Sequence, residues 1–330
     1  MKRPTKRIAI DDVAAHNQRM WDRLAAAGIP YTRPQGTPPK TARGKRTFLD
    51  PNGRLAGLPI NGQRVLALAG GGGWHPVLFA ELGAQTTVLD ISARQLRTVR
   101  ELARSRDVKV RLVQADMRDL SAFADGSFDI VWHSHSIVFV PDAERVIAEV
   151  GRVLATGGVY RASTMHPVTL RMYGTWTGTG WGFRQSYFAD GAVPYEDASW
   201  EFDEVKVDAP TLEYGHRISD LINACAAAGL VVDGFWETTP AEISTTVPLR
   251  AASPKVLLAR RDEQEPGSDD ALEHQLPAFI EWRARKLSPA SRLAARRATA
   301  SPTNTATRSP KASGTRREGS RTSRGPRPGR

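Results

Sequence analysis

Short apolar runs alternate with amphipathic stretches along most of this chain, and their spacing predicts an α/β domain. Val65-Leu66-Ala67-Leu68 is too short for a free-standing helix and suits a strand buried on both faces. Four glycines, Gly70 to Gly73, follow, then an apolar-periodic stretch, Val77-Leu78-Phe79-Ala80-Leu82, that stops at Gly83. Thr86-Thr87-Val88-Leu89 reads as a second strand delivering an acid, Asp90, at its carboxyl end. Strand, glycine turn, helix, strand and acid make a βαβ unit for a nucleoside-bearing cofactor. Without Cβ atoms such a turn takes positive φ and lets a ligand lie against backbone. Free N–H groups at the helix start then face the ligand, and an acid about 20 residues on accepts the ribose hydroxyls. A flexible linker, the bland alternative, rarely sits between two buried strands.

The alternation continues. Ser92-Ala93-Arg94-Gln95 is a capping-box pattern opening a helix to about Arg104. Residues 108–114 form a third strand ending in Ala115-Asp116-Met117, and 128–132 a fourth leading into His133-Ser134-His135. Asp142 caps a helix with Val146, Ile147, Val150 and Leu154 at helical spacing; Thr156-Gly157-Gly158 ends it before a fifth strand, 159–162. Ser219 caps a helix over 220–228, and 230–237 is a sixth strand. The final strand has two candidates, 255–259 and 278–285; the second is preferred because it alternates, leaving 238–277 as a long, mobile joining segment. Upstream, 1–10 looks frayed, Asp11 or Asp12 caps a helix to about Ala27 that Gly28 ends, and 30–39 is a proline-broken loop.

The dinucleotide fingerprint G-x-G-x-x-G does not close here: from Gly70 its last position is His75, from Gly71 it is Pro76. The stretch instead resembles the first motif of the class I S-adenosylmethionine (SAM) methyltransferases, an acid followed by G-x-G-x-G. It aligns with Ala67 and Ala69-Gly70-Gly71-Gly72-Gly73. Ala67 replaces the acid, removing a partner for the cofactor's amino-acid end or the turn, and Ala69 replaces the first glycine, read as a mild change. The residues after the fourth strand and the string RVLATGG before the fifth are similar to the same family, type 11-like, over roughly Asn17 to Lys286.

This resemblance implies a Rossmann-like, doubly wound seven-stranded sheet whose last strand is antiparallel, and SAM as cofactor. It implies that Gly71 and Gly73 line the methionine portion, Asp90 the ribose, and Asp116 with Met117 the adenine. Ala69, Gly70, Ile91 and His133 complete the implied cofactor set. The expected organisation is a helix and cap segment over 1–60, a SAM-binding domain over 61–287, and a tail over 288–330. The family builds substrate pockets from inserts after the fifth strand, and here 163–217 is rich in aromatics, including Trp176, Trp181, Tyr195, Trp200 and Phe202. A small lid packing on itself is the compatible alternative.

Composition changes the picture in two places. The formal charge of +11 is concentrated: from Ser288 onward there are eleven Lys and Arg against one acid, Glu318. That tail is nearly devoid of aliphatic residues and reads as disordered, with weak, salt-sensitive affinity for polyanions, while the body shows no nucleic-acid footprint. The single cysteine, Cys225, reads as a small core residue. With no run near the roughly 18 apolar residues of a membrane span and no signal-peptide pattern, a cytoplasmic location fits.

For the acceptor, a base helps if a hydroxyl or amine is methylated. His135, His166 and His216 fall near the expected mouth, and His135 and His216 are the catalytic candidates. No metal-ligand spacing is present. The expected activity is SAM-dependent methylation of a small molecule. The alternatives are a nicotinamide-dependent oxidoreductase or epimerase, a non-enzymatic SAM-binding protein, and a tail-guided RNA methyltransferase. The acceptor and the oligomeric state are not legible.

Overall fold

Val65, Leu66, Ala67 and Leu68 are all fully buried, which explains a run without polar alternation: they form the centre of the sheet. In this computed structural model the described residues are 11–288 apart from 56, 173–178, 180–181, 183, 196–198, 203–204 and 239–276. In chain order the elements are α1 (Asp12–Ala27), α2 (Ala42–Leu49), β1 (Arg64–Leu68), α3 (His75–Glu81), β2 (Gln85–Asp90), α4 (Ala93–Ser105) and β3 (Val110–Gln114). Then come β4 (Phe128–Ser134), α5 (Ala143–Val153), β5 (Leu154–Met165), α6 (Pro167–Met172), β6 (Trp200–Phe202), β7 (Val205–Val207), α7 (Ile218–Ala227), β8 (Leu230–Thr238) and β9 (Phe279–Lys286).

Seven strands lie in the order β3-β2-β1-β4-β5-β9-β8. Neighbours are parallel from β3 through β5, and β9 runs antiparallel to both β5 and β8. The preferred candidate for the final strand is therefore the one that pairs. The other candidate, most of the joining segment and all but the first residue of the tail lie outside the described residues.

The strand period of two divides the core between two faces. Leu66, Leu68 and Val131 pack with Val146, Ile147 and Val150 of α5 and with Leu221 and Cys225 of α7. Val65, Ile130 and Trp132 pack with Leu49, Leu78 and Phe79 of α2 and α3, and Ala67 and Val88 with Leu96 and Val99 of α4. Burial pushes the Cys225 thiol up to about 12, as befits a core residue.

Helix ends follow local chemistry with two exceptions. Asp11 caps α1 by accepting from the Ala14 N–H at 2.9 Å, Gly28 ends it at φ +67°, and Ser92 caps α4. Asp142 stands at the N-cap of α5 but makes no cap hydrogen bond, because its carboxylate is drawn to Arg118. Ser219 does not cap α7, which begins one residue earlier at Ile218. β5 starts at Leu154, with a register shift in its pairing to β4 between Phe128 and Ile130.

The insertion contributes the β6–β7 hairpin, and its rings meet α1 and the turn after it rather than one another alone. Trp200 lies 5.7 Å from Trp21, and Phe202 lies 5.2 Å from Tyr31. Trp176 and Trp181 lie outside the described residues.

Ala69 differs from the mild replacement expected of it. Its φ is +45°, a region that costs a residue with a Cβ about 1–2 kcal/mol. Ala69→Gly should therefore be neutral or stabilising by up to about 1 kcal/mol after the extra freedom of unfolded glycine is subtracted. Thermal unfolding checks this, and a loss of stability would contradict it.

Candidate functional site

Because β1, β2 and β3 are parallel neighbours, their carboxyl ends lie side by side, and with them Ala69 to Gly73, Asp90 and Ile91, and Asp116 and Met117. Backbone bonds lock the three ends together: the Gly70 N–H donates to Leu89 O at 3.2 Å and the Ala115 N–H to Asp90 O at 3.2 Å. The Asp90 carboxylate accepts from the Gly71 N–H at 2.9 Å and the Ser92 N–H at 2.8 Å. Burial nevertheless dominates and pushes its pKa up to about 6, with the nearby charge of Asp22 adding to the rise.

The glycine turn is crowded. A Cβ on Gly72 would stand 2.1 Å from Thr32 O and 2.8 Å from Gln95 Oε1, and one on Gly70 would stand 2.9 Å from the Ala67 Cβ. Gln95 Oε1 is buried without a partner beside this turn. Ala67 is packed with Val88 and Leu96, so the position where the family motif has an acid is apolar here.

Asp116 is gripped by Arg118, whose Nε lies 3.1 Å from both carboxylate oxygens and whose Nη2 lies 2.7 Å from one of them. Met117 is buried in the core beside it. α1 lies across the segments that follow β2, β3 and β4. Gln18 donates to Ile91 O at 3.0 Å, the Ser92 hydroxyl donates to Asp22 at 2.6 Å, and Asn17 donates to Phe139 O at 2.9 Å. Asn17 also holds the insertion, through Leu212 O at 3.0 Å and the Leu212 N–H at 2.8 Å. None of these ties was foreseen from sequence.

The end of β4 carries the histidines. His133 is buried with Nδ1 2.9 Å from the Tyr160 hydroxyl, and burial, then His135 and Arg161, pull its pKa down to about 3. It turns toward the face that packs on α5 and α7. His135 has φ +58°, and its ring stands edge-on to Phe279 at 4.2 Å. The residue as a whole is exposed, yet desolvation of the ring by the protein round it and then the charge of Arg161 pull its pKa down to about 4. His75, at the start of α3, lies 5.4 Å from Trp132 and is likewise lowered to about 4 by burial, Arg161 and His135.

Arg161 is the charge these rings share. It lies buried 4.3 Å over the Trp132 ring, with Nη2 2.6 Å from Glu281, and Glu281 also meets Arg54 at 3.3 Å. His216 is placed differently from His135: its Nε2 lies 3.1 Å from Ile137 O, so it tethers the segment after β4. His166 has Nε2 3.3 Å from Glu237 and accepts from the Val168 N–H at its other nitrogen. Two cavities, of about 420 and 190 Å³, lie elsewhere, one beside α5 and α7 and one near Leu58 and Thr156. Among the described residues no group of His, Cys, Asp and Glu is arranged for a metal ion, and no helix is long and apolar enough to cross a membrane.

The profile of a family described as "Methyltransferase domain" matches residues 66–162. The uncharacterized methyltransferase YbaJ of Bacillus subtilis is 30% identical over 231 residues, spanning 68% of this chain and 90% of YbaJ. The chain belongs to the class I SAM-dependent methyltransferases. SAM is the cofactor of that family. A ubiquinone biosynthesis O-methyltransferase from Xanthomonas oryzae pv. oryzae is 33% identical, but over 34% of this methyltransferase and 46% of its own length. A SAM-dependent methyltransferase from Mesorhizobium loti has the same fold, with a TM-score of 0.51 at 22% identity over 74% of this chain and 98% of that one. The [4+2]-cyclase SpnF also shares it, with a TM-score of 0.53 at 17% identity over 86% of this chain and 99% of that one.

The residues of this methyltransferase fit a bound SAM. A side chain at Gly72 is excluded by close backbone, a desolvated carboxylate stands at the end of β2, and an unpartnered amide oxygen adjoins the turn. Arg118 and the polar residues of α1 are the candidate site residues that sequence reasoning missed; Arg118 had a signal in its spacing from Asp116, but its other partners, Asp11 and Asp142, are distant in the chain.

His135 and His216 should separate on mutation. His216→Ala removes a half-buried hydrogen bond and should cost about 1–2 kcal/mol of stability. His135→Asn, a residue that tolerates positive φ, should leave stability within about 0.5 kcal/mol. Denaturant unfolding of both variants checks this; equal losses would show that His135 is structural as well.

Proposed function

We propose that this chain transfers a methyl group from SAM to a small-molecule acceptor bound beside His135 and Phe279. One observation carries the reading: Gly71, Asp90 and Asp116 stand at the ends of three adjacent parallel strands, β1, β2 and β3, as a bound SAM would need for its methionine, ribose and adenine. Gly70, Gly71 and Gly73 with Ala69 would hold the methionine portion, Asp90 and Ile91 the ribose, and Asp116 and Met117 the adenine, with His133 supporting the end of β4 from within. Residues 61–287 are read as the cofactor domain and 1–60 as its cover.

When bound, SAM supplies a sulfonium methyl group already activated for in-line displacement. What remains for the protein is to exclude water and align the acceptor. Here α1 covers the strand ends and the β6–β7 hairpin backs α1 with aromatic rings. His135 is uncharged at neutral pH and accepts a hydrogen bond from an acceptor, but a base with a pKa of about 4 draws a proton weakly from an alcohol or ammonium. Its role is therefore orientation first. Small-molecule acceptors are supported by the partial relatives, among them a sarcosine/dimethylglycine N-methyltransferase from Halorhodospira halochloris that is 34% identical over 94 residues.

A second reading, cofactor binding without methyl transfer, is favoured by the apolar Ala67 and by the cyclase that shares the fold. Turnover assays that follow S-adenosylhomocysteine release over a panel of hydroxylated and amino acceptors separate the two readings. Calorimetry with S-adenosylhomocysteine and NAD should show binding of the first only; NAD binding alone would end the proposal.

Asp90 gives that titration a pH dependence. Its pKa is raised by burial, and hydroxyl donors of the ribose favour its ionised form, so binding releases a proton below about pH 6. Affinity for S-adenosylhomocysteine should fall about tenfold between pH 7 and pH 5. Asp90→Asn should lose about 1–3 kcal/mol and the pH dependence with it. An affinity for the native chain that is flat across this range would show that Asp90 does not meet the ribose.

A further inference from the structure

Arg118 lies two residues beyond the acid assigned to adenine, and it meets three carboxylates from three different segments. Its Nη1 is 2.8 Å and its Nη2 3.0 Å from the two oxygens of Asp11, and Nη1 is 3.1 Å from Asp142. Toward Asp116, Nε and Nη2 grip both oxygens at 2.7–3.1 Å, and the Arg118 N–H donates to Oδ1 at 2.8 Å. These bonds fix the plane of the Asp116 carboxylate. The Arg118 side chain is 5% exposed, and a buried guanidinium persists only while paired. Burial works against its charge, but the bonds to Asp116 and Asp11 outweigh it and hold its pKa above the ordinary value. The same contact lowers the pKa of Asp11.

Asp11 is also the N-cap of α1. One guanidinium thus joins the acid at the end of β3 to the first turn of the helix that covers the site. Five donors in a rigid plane are needed to meet three carboxylates at once, which an ammonium group does not offer.

We propose that Arg118 is a positioning residue that couples adenine recognition to closure of α1. It holds Asp116 in the plane from which that acid accepts the adenine amino group, and it transmits the occupancy of that subsite to the start of α1. The inference rests on the cofactor reading above. Coupling of this kind is reciprocal, so a closed α1 tightens the cofactor by the same factor by which the cofactor closes α1.

The test uses the full chain and two ligands that differ at the adenine amino group, S-adenosylhomocysteine and S-inosylhomocysteine. The native protein should bind the first at least about tenfold more tightly, the lower end of what one hydrogen bond to a charged group is worth, and binding should slow hydrogen exchange of the α1 amides. Arg118→Met and Arg118→Lys should both bring the two affinities to within about threefold and abolish the slowing. Asp11→Asn should keep the preference for adenine but lose the protection of α1, a split that a merely structural role would not produce. If Arg118→Met retains the tenfold preference, or if Asp11→Asn still shows ligand-dependent protection of α1, the coupling is refuted. Should Arg118→Met fail to fold, Arg118→Lys and Asp11→Asn carry the decision. Absence of S-adenosylhomocysteine binding by the native chain overturns the cofactor reading and this inference together; binding with unaltered variants overturns only the inference.

Discussion

Asp90 accepts from the Gly71 N–H at 2.9 Å and the Ser92 N–H at 2.8 Å, so one carboxylate joins the turn after β1 to the start of α4. That bridge requires three features of the chain at once. β1 and β2 must be parallel and in register, Gly71 must take positive φ, and Ser92 must cap α4. Charge-assisted bonds of this kind contribute about 1.5–3 kcal/mol each, yet burial still pushes the Asp90 pKa up to about 6. The carboxylate is therefore held in place but under-solvated, a state that favours further donors such as a diol over a sealed core.

The same logic extends outward through α1. A helix that spans the ends of β2, β3 and β4 could rest on them through apolar contact alone. Here it is also tied by polar bonds to groups that the sheet leaves over: Ile91 O, the Ser92 hydroxyl, Phe139 O and Arg118. Buried polar ties of this kind specify one seating of the helix, because any shift leaves donors and carbonyls unpaired. Behind α1, Met20, Leu24 and Ile29 with Ala209, backed by Trp200 and Phe202, supply the non-directional part of the contact.

The sheet was legible in the sequence because its signals are local. Unbroken apolar runs marked β1 and β2, alternation favoured β9 over the other candidate, and the family resemblance put the glycines, Asp90 and Asp116 at the ends of successive strands. What escaped depends on partners far away in the chain. Asp142 looks like a helix cap, and only the fold shows that Arg118 draws its carboxylate away. Ala69 looks like a mild replacement until its φ is known. His135 and His216 look equivalent as histidines near the mouth, yet Ile137 O tethers His216 while His135 is exposed and stands against Phe279. Arg161 is invisible in the sequence because Trp132 and Glu281, which hold it, come from two other segments.

If the methyl acceptor binds beside His135 as proposed, Arg161 limits the chemistry there. A permanent cation beneath the end of β4 disfavours charge on His75, His133 and His135, which burial already opposes, so the rings stay neutral under physiological conditions. Neutral rings of low basicity are poor at removing protons but good at accepting hydrogen bonds without repelling a cationic methyl donor. A protonated histidine at the same place would raise the energy of a bound sulfonium and could not accept a hydrogen bond from the group to be methylated. On the proposed reading, histidines held uncharged would serve alignment more than acid–base chemistry, which is what a reaction with a pre-activated leaving group needs.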